Sequence, residues 1–242
     1  MSFGLTSQAA THPGAVRPRN EDAYVDRPDL GLWAVADGAG GHGAGDVASS
    51  AIAEALMAIP PGFSAAEMLA QVRLRLDGVH TALQDKAAAR GGGIIASTVV
   101  VLLARGGHYA CLWAGDSRAY RLRAGAIARL TRDHTQVQAL VEAGLLTPEQ
   151  ADHHPYSNVL ARAIGAEARV EIDIRVEPLR AGDRYLLCSD GLDKELSDPQ
   201  IAALLGGANP AQVARALVEH ACTAGGRDNV TAVVVRFDAP AD

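Results

Sequence analysis

Short apolar runs of strand length recur along the chain, separated by stretches whose apolar residues follow a helical period. The strand-length runs cover residues 4–10, 22–26, 30–36, 97–104, 108–114, 119–123, 126–130, 170–176, 183–189 and 230–237. Between residues 97 and 130 the runs are separated by turns of only two to four residues. Turns of this length join antiparallel neighbours, so this block is predicted to be a meander of hairpins.

Two long amphipathic helices are predicted between the third and fourth strands. The first follows a glycine-rich loop at 38–45 and has apolar residues at helical spacing over 47–59, where a pair of prolines ends the pattern. The second begins at Ser64, and Glu67 three residues later predicts a capping box. Shorter helices are predicted at residues 135–144, 148–153, 198–205 and 210–223.

The order of these elements indicates the fold class. Strands precede and follow the helices without the regular β-α alternation that a parallel sheet requires. This order fits an α+β fold in which antiparallel sheets carry helices on their outer faces. The sequence has no internal repeat, low-complexity segment or linker-like composition. We therefore expect a single domain over residues 1–242.

Composition narrows the classes of protein. Hydrophobic residues make up 48% of the 242 and charged residues 21%, which is typical of globular proteins in solution. The formal net charge of −6 argues against a nucleic-acid partner, which would need a basic face. Neither a signal peptide nor a run of ~20 apolar residues is evident, so we expect a cytoplasmic protein without a membrane contact. Cys111, Cys188 and Cys222 are widely spaced, and we expect reduced thiols.

Four acidic motifs lie next to the apolar runs. They are Arg-Pro-Arg-Asn-Glu-Asp at 17–22, Asp-Gly-Ala-Gly-Gly-His at 37–42, Ser-Asp-Gly at 189–191 and Arg-Asp-Asn at 227–229. A carboxylate at the end of a buried strand is costly unless positive charge compensates it. Several such ends that converge would form a pocket of oxygen ligands suited to Mg²⁺ or Mn²⁺. Each motif alone could be a plain turn, since Asp-Gly pairs are common there.

With three further motifs, the chain resembles the metal-dependent (PPM, type 2C) family of Ser/Thr protein phosphatases in its short bacterial form. These motifs are Gly-Asp-Ser-Arg at 115–118, Leu-Thr-x-Asp-His at 130–134 and Ala-Arg-Ala-x-Gly at 161–165. The resemblance extends over nearly the whole chain in the family's order. It implies two stacked antiparallel β-sheets flanked by helices on both outer faces, with a metal centre at one end of this αββα sandwich.

The resemblance also implies the ligands of two Mg²⁺ or Mn²⁺ ions. Asp37 would bridge both ions and Gly38 would offer its backbone carbonyl to one of them. Asp190 and Asp228 would complete the other ion's ligands, while Glu21 and Asp22 would act through bound waters. Asp116 has two interpretations, a residue that fixes a hairpin turn or a ligand of a third ion.

The resemblance further implies that Arg17 binds the substrate phosphate, and a guanidinium fork suits phosphate oxygens geometrically. Arg19 is the alternative at this position. Some family members have a general-acid histidine directly after the Asp-Gly pair, but this chain has Ala39 there. His42 follows three residues later, and we interpret it as structural. The general acid is therefore unassigned.

The expected activity is hydrolysis of phosphoserine and phosphothreonine in proteins by a metal-activated water. Asp37 and Arg17 would be the catalytic residues, and a bacterial Ser/Thr kinase would supply the phosphorylated substrates. Regulation of type VI secretion and dephosphorylation of anti-sigma antagonist proteins are two pathways in which similar proteins act. The alternative is a pseudophosphatase, a regulatory module that binds a phosphoprotein without turnover. The polar segment 134–156 is a candidate mobile flap.

Overall fold

The computed structural model describes residues 4–40, 44–152 and 154–239, and within them the strands form two antiparallel sheets. The strands are β1 (Gly4–His12), β2 (Asp22–Arg27), β3 (Leu32–Gly40), β4 (Ile95–Ser97), β5 (Val99–Arg105), β6 (His108–Ala114), β7 (Arg118–Arg123), β8 (Ala126–Arg129), β9 (Asp173–Pro178), β10 (Arg184–Cys188) and β11 (Val230–Asp238). The first sheet has the order β1-β11-β10-β7-β8 and the second β2-β3-β5-β6-β9, with β4 paired to the end of β3.

The described residues also form seven helices. They are α1 (Gly45–Met57), α2 (Ala65–Ala89), α3 (Gln136–Glu142), α4 (Pro148–Asp152), α5 (Asp190–Asp193), α6 (Asp198–Leu205) and α7 (Pro210–Ala224). The predicted capping box begins α2, where Ser64 N–H donates to Glu67 Oε2 at 2.8 Å and Glu67 N–H donates to Ser64 Oγ at 3.4 Å. No helix in the described part of the chain is long and apolar enough to cross a membrane.

Strand β3 shows why its sequence is a continuous apolar run. Leu32, Ala34 and Ala36 pack towards α1 and α2, whereas Trp33 and Val35 pack between the two sheets. A strand buried on both faces needs apolar residues at every position rather than at alternate ones.

Buried apolar side chains fill three layers within the described residues. α1 and α2 pack on the second sheet, the two sheets pack on each other, and α5, α6 and α7 pack on the first sheet. Representative side chains of the three layers, in that order, are Ile52, Leu76 and Val101, then Tyr185, Val233 and Phe237, then Leu192, Leu217 and Val234. This arrangement confirms the predicted αββα sandwich.

The boundaries differ from the prediction near the acidic motifs. Part of the predicted glycine loop at 38–45 is strand, because β3 runs through Gly40 and its last residues pair with β4. The predicted strand 97–104 is interrupted at Thr98, and the short helix α5 was not predicted. The predicted strand 170–176 is displaced to Asp173–Pro178, and residue 153 of the fourth predicted helix lies outside the described residues. Glycine-rich segments lack the side-chain pattern that would reveal such long-range pairing.

Candidate metal centre

One cavity of about 630 Å³ collects most of the acidic residues of the four motifs. Its wall includes Glu21, Asp37, Asp116, Asp190 and Asp228. Asp37 lies in β3 and Asp116 follows β6, both in the second sheet, whereas Asp190 follows β10 and Asp228 precedes β11, both in the first. The cavity therefore lies where the ends of the two sheets meet.

Asp37 is held in place by its backbone. Its N–H donates to Thr98 Oγ1 at 3.2 Å, and its carbonyl accepts from Thr98 N–H and Ser97 Oγ, both at 2.9 Å. The break between β4 and β5 at Thr98 allows these groups of Ser97 and Thr98 to bond to the backbone of Asp37. Among the described residues the Asp37 carboxylate has no hydrogen-bond or ion-pair partner, so both of its oxygens are available to a ligand.

Burial and the repulsion of neighbouring carboxylates raise the pKa values of Asp37, Asp116 and Glu21. Burial raises the pKa of Asp37 well above its usual range, and the charges of Asp22 and Asp190 add to the shift. Burial, followed by the charge of Asp190, raises the pKa of Asp116 to about 7. The pKa of Glu21 is raised as well, chiefly by burial. Carboxylates in this cluster therefore need nearby positive charge to be ionised at low cost at neutral pH.

Asp22 lies behind Asp37, directly opposite it in the β2–β3 register, rather than on the cavity wall. Its Oδ2 accepts hydrogen bonds from Ser189 Oγ and Thr231 Oγ1, both at 2.7 Å. Its Oδ1 is buried and has no partner in the described residues. Burial raises the pKa of Asp22 to about 7, against the effect of the two hydroxyl hydrogen bonds. Thr231 was missed by the sequence analysis because nothing marks a strand threonine as a carboxylate partner.

Asp190 and Asp228 each pair with one cation. The Lys194 ammonium donates to Asp190 Oδ2, while Asp190 Oδ1 is buried and unpartnered in the described residues. Arg17 donates to Asp228 Oδ2 at 2.7 Å. Asn229 fixes this loop, since its side chain accepts from Glu21 N–H and donates to two backbone carbonyls, those of residues 13 and 19.

These residues fit a hard divalent cation. In the described residues no three His, Cys, Asp or Glu side chains converge closely enough to hold an ion as they stand. Such convergence is not required, because Mg²⁺ keeps several waters and commonly binds proteins through one or two carboxylates. The donors are all carboxylate oxygens, and the buried Asp22 Oδ1 and Asp190 Oδ1 lack partners among the described residues. Buried oxygens of this kind are costly unless a cation or water satisfies them.

Residues 16–220 of the chain match the family described as protein phosphatase 2C. The chain belongs to the protein phosphatase 2C family. It is 39% identical over 234 residues to the Ser/Thr protein phosphatase PstP of Mycobacterium tuberculosis, covering 95% of this chain. The chain spans only 44% of the length of PstP. The predicted family is thus confirmed.

Solved structures agree. PppA, described as a key regulatory component of T6SS in Pseudomonas aeruginosa, has a TM-score of 0.90 and 42% identity, covering 96% of this chain and 97% of PppA. The catalytic domain of PstP, solved in complex with two manganese ions, has a TM-score of 0.85 and 36% identity, covering 98% of this chain and all of that domain. For the family, two predictions are confirmed: the enzyme class, a protein Ser/Thr phosphatase, and the metal type, a divalent cation such as Mn²⁺.

The motifs contain two histidines, His134 and His42, and only His134 lies in the described part of the chain. His134 is buried behind the Gly115–Asp116 turn, where its Nδ1 accepts from Gly115 N–H at 3.2 Å and its ring stacks on Trp113. It does not line the cavity, and burial lowers its pKa. His42, which we interpreted as structural, lies outside the described residues.

Gly38 is the residue that allows β3 and α1 to approach each other. A Cβ atom at this position would lie 2.1 Å from the carbonyl oxygen of Gly45 and 2.7 Å from that of Glu21. Both obstacles are backbone atoms, so no side-chain rotation could relieve the clash. The need for glycine at the second position of the Asp-Gly pair is therefore steric.

Gly38→Ala is expected to weaken Mn²⁺ binding at least about tenfold and to lower stability by about 1–3 kcal/mol, the usual cost of overpacking. Calorimetric titration with Mn²⁺ and urea unfolding would measure both effects. Gly78→Ala is the matched control, because Gly78 lies within α2 and a Cβ there would meet nothing within 4 Å. Gly78→Ala should be neutral or stabilising, and equal behaviour of the two variants would contradict the steric requirement.

Proposed function

We propose that the chain is a metal-dependent protein Ser/Thr phosphatase that hydrolyses phosphoserine and phosphothreonine. The observation that carries this proposal is the shared cavity, whose wall brings together carboxylates from both sheets. Among the described residues Asp190 Oδ1 on this wall and Asp22 Oδ1 behind it are buried and have no partner. Family membership and the names of its relatives support the same activity. We also propose that residues 1–242 act as one catalytic domain and that the protein works in the cytoplasm.

The ion ligands would be those of the predicted set. Asp37, the Gly38 carbonyl, Asp190 and Asp228 would hold two Mg²⁺ or Mn²⁺ ions, with Glu21 and Asp22 acting through water. When bound, such ions lower the pKa of a coordinated water and neutralise charge on a phosphoryl group. The hydroxyl groups of Ser189 and Thr231 fix the orientation of Asp22.

Arg17 would bind the substrate phosphate. Its side chain is 54% exposed at the cavity, and its one ion pair among the described residues is with Asp228. One nitrogen of the guanidinium makes that contact, so the other N–H groups remain able to donate to phosphate oxygens. Arg19 also lines the cavity and adds positive charge there. Arg17 would thus hold the phosphate next to the carboxylate cluster.

The physiological partners would be phosphorylated proteins, and a Ser/Thr kinase would produce them. The similarity to PppA supports a role in the regulation of type VI secretion. The formal net charge of −6 and the acidic cavity disfavour nucleic acid as a ligand.

Chelation should abolish the activity. Purified protein with millimolar Mn²⁺ is expected to release phosphate from a phosphothreonine peptide, to stop when EDTA is added, and to recover when excess Mn²⁺ or Mg²⁺ is supplied. Phosphate release measured with a dye assay would test this. Activity that resists EDTA would contradict a metal-dependent mechanism. Tight binding of the phosphopeptide without turnover would instead identify the alternative, a pseudophosphatase.

A further inference from the structure

The Lys194 ammonium occupies one side of the carboxylate cluster. Lys194 follows Asp190 by four residues across the short helix α5, and its Nζ donates to Asp190 Oδ2. Both residues line the cavity together with Asp116. Lys194 is therefore a permanent positive charge inside the site, which no motif of the sequence analysis includes.

The two oxygens of Asp190 have different surroundings. Oδ2 is paired with Lys194, whereas Oδ1 is buried and has no partner in the described residues. Asp190 can therefore give Oδ1 to a divalent ion while Oδ2 remains with the ammonium. A second ion on the Oδ2 side would have to displace Lys194 or lie next to its charge.

Asp116 would be the other ligand on that side. It is only 8% exposed, lines the cavity and forms no ion pair with its side chain among the described residues. The charges of Lys194 and Asp190 both act on Asp116, the first favouring and the second opposing its ionised form. Asp116 thus lies within electrostatic reach of the ammonium, which satisfies part of its need for positive charge.

A count of charges points the same way. Arg17 pairs with Asp228 and Lys194 pairs with Asp190, whereas Glu21, Asp22, Asp37 and Asp116 have no ion-pair partner in the described residues. The formal charge of those unpaired carboxylates is equal and opposite to that of two divalent cations. Without Lys194 the cluster would have one further uncompensated negative charge.

We propose that Lys194 is a built-in counter-cation that limits this centre to two divalent ions, by holding Asp190 Oδ2 beside Asp116 where a third ion would otherwise bind. This inference rests on the proposed function, since it assumes that the cluster binds divalent ions. The inference favours the interpretation in which Asp116 fixes the hairpin turn and, while Lys194 is present, does not bind a third ion.

The test is the number of Mn²⁺ ions bound, measured by electron paramagnetic resonance of free Mn²⁺ and by calorimetry. The wild-type protein should bind two ions, and Lys194→Met should bind a third at least tenfold more tightly than the wild-type protein does. Lys194→Arg keeps the charge and should retain two ions. Lys194→Met combined with Asp116→Asn should lose the additional ion.

Lys86→Met is the matched control, because Lys86 lies on α2 and is the other lysine of the sequence. It should bind two ions, and circular dichroism would show whether each variant is folded. The inference is overturned if the wild-type protein binds three ions with similar affinities, or if the isotherms of Lys194→Met and the wild type superimpose. In both cases the proposed function would still hold, provided that the wild-type protein binds at least two ions and has phosphatase activity. A wild-type protein that binds no divalent ion would overturn both.

Discussion

Asp37→Asn is expected to lower kcat by about a thousandfold or more while making the chelated protein more stable. The ions of such a centre stabilise the transition state by several kcal/mol. Each ~1.4 kcal/mol of that stabilisation is a factor of ten in rate. The substituted amide would offer a weaker, neutral oxygen at the point where the predicted bridging carboxylate lies. The backbone hydrogen bonds with Ser97 and Thr98 do not involve the altered group, so the fold should be retained.

The gain in stability follows from the pKa values. The folded-state pKa of Asp37 is raised well above its ordinary value, and the pKa values of Asp22 and Asp116 are each raised to about 7. A raised pKa means that the folded state binds the proton more tightly than the unfolded state. The associated stabilisation is complete below about pH 4, the unfolded-state pKa, and is lost as pH rises through the folded-state pKa. Removing one charge reduces this loss.

Thermal unfolding in EDTA at pH 5 and pH 8, together with steady-state kinetics in Mn²⁺, would measure both effects. The chelated wild-type protein should lose stability between the two pH values, and Asp37→Asn should lose less. Asp77→Asn, an exposed carboxylate on α2, is the control and should change stability by no more than about 0.5 kcal/mol. Full activity of Asp37→Asn, or a lower Tm than the wild type in EDTA, would contradict the assignment.

The fold was predictable because central strands such as β3, β5 and β10 are buried on both faces and its long helices are amphipathic. Trp33 and Val35 alternate with Leu32 and Ala34 in one apolar run, and a run of this length is typical of a buried strand. The stacking of two sheets came from the family resemblance, since periodicity gives no information on which strands share a sheet. The pairing of Gly40 with β4 was not predictable, because glycines carry no side-chain pattern.

For the candidate site, the sequence predicted the acidic residues but not the groups that surround them. Asp-Gly pairs at strand ends are recognisable by local spacing. The partners of Asp22 are recognisable only in three dimensions, since Ser189 and Thr231 are distant from it along the chain. Lys194 could have been predicted from the sequence, because its spacing of four residues from Asp190 is that of a helical ion pair. That signal was hidden by the failure to predict α5.

Arg118 holds the short helix that carries Asp190. Of the substitutions considered, its loss is expected to have the largest effect on stability. It donates to Asp133 at 2.6 Å and forms an ion pair with Asp193 at 2.7 Å. The Asp193 side chain is only 4% exposed, and burial raises its pKa well above the usual range while Arg118 opposes that shift. Asp193 ends the same short helix that Asp190 begins. Arg118 therefore ties α5 to β7, two residues after Asp116.

Arg118→Met should lower the free energy of unfolding by about 3–5 kcal/mol, because it leaves a buried carboxylate without its partner. Without Arg118 the pKa of Asp193 would rise further, so the loss should be smaller at pH 5 than at pH 7.5. Urea unfolding at both pH values would measure it. Arg132→Met is the control, because the Arg132 and Glu142 side chains of that ion pair are 59% and 39% exposed. It should cost no more than about 1 kcal/mol.

A double-mutant cycle separates the ion pair from general packing. Asp193→Asn in the Arg118→Met background removes the unpaired charge and should recover a large part of the lost stability, with a coupling energy of about 1–3 kcal/mol. Mn²⁺ affinity should fall in Arg118→Met and recover in the double variant, because α5 carries Asp190. If the two substitutions were additive, or if the cost of Arg118→Met were the same at pH 5 and pH 7.5, Asp193 would not be the charge that Arg118 compensates.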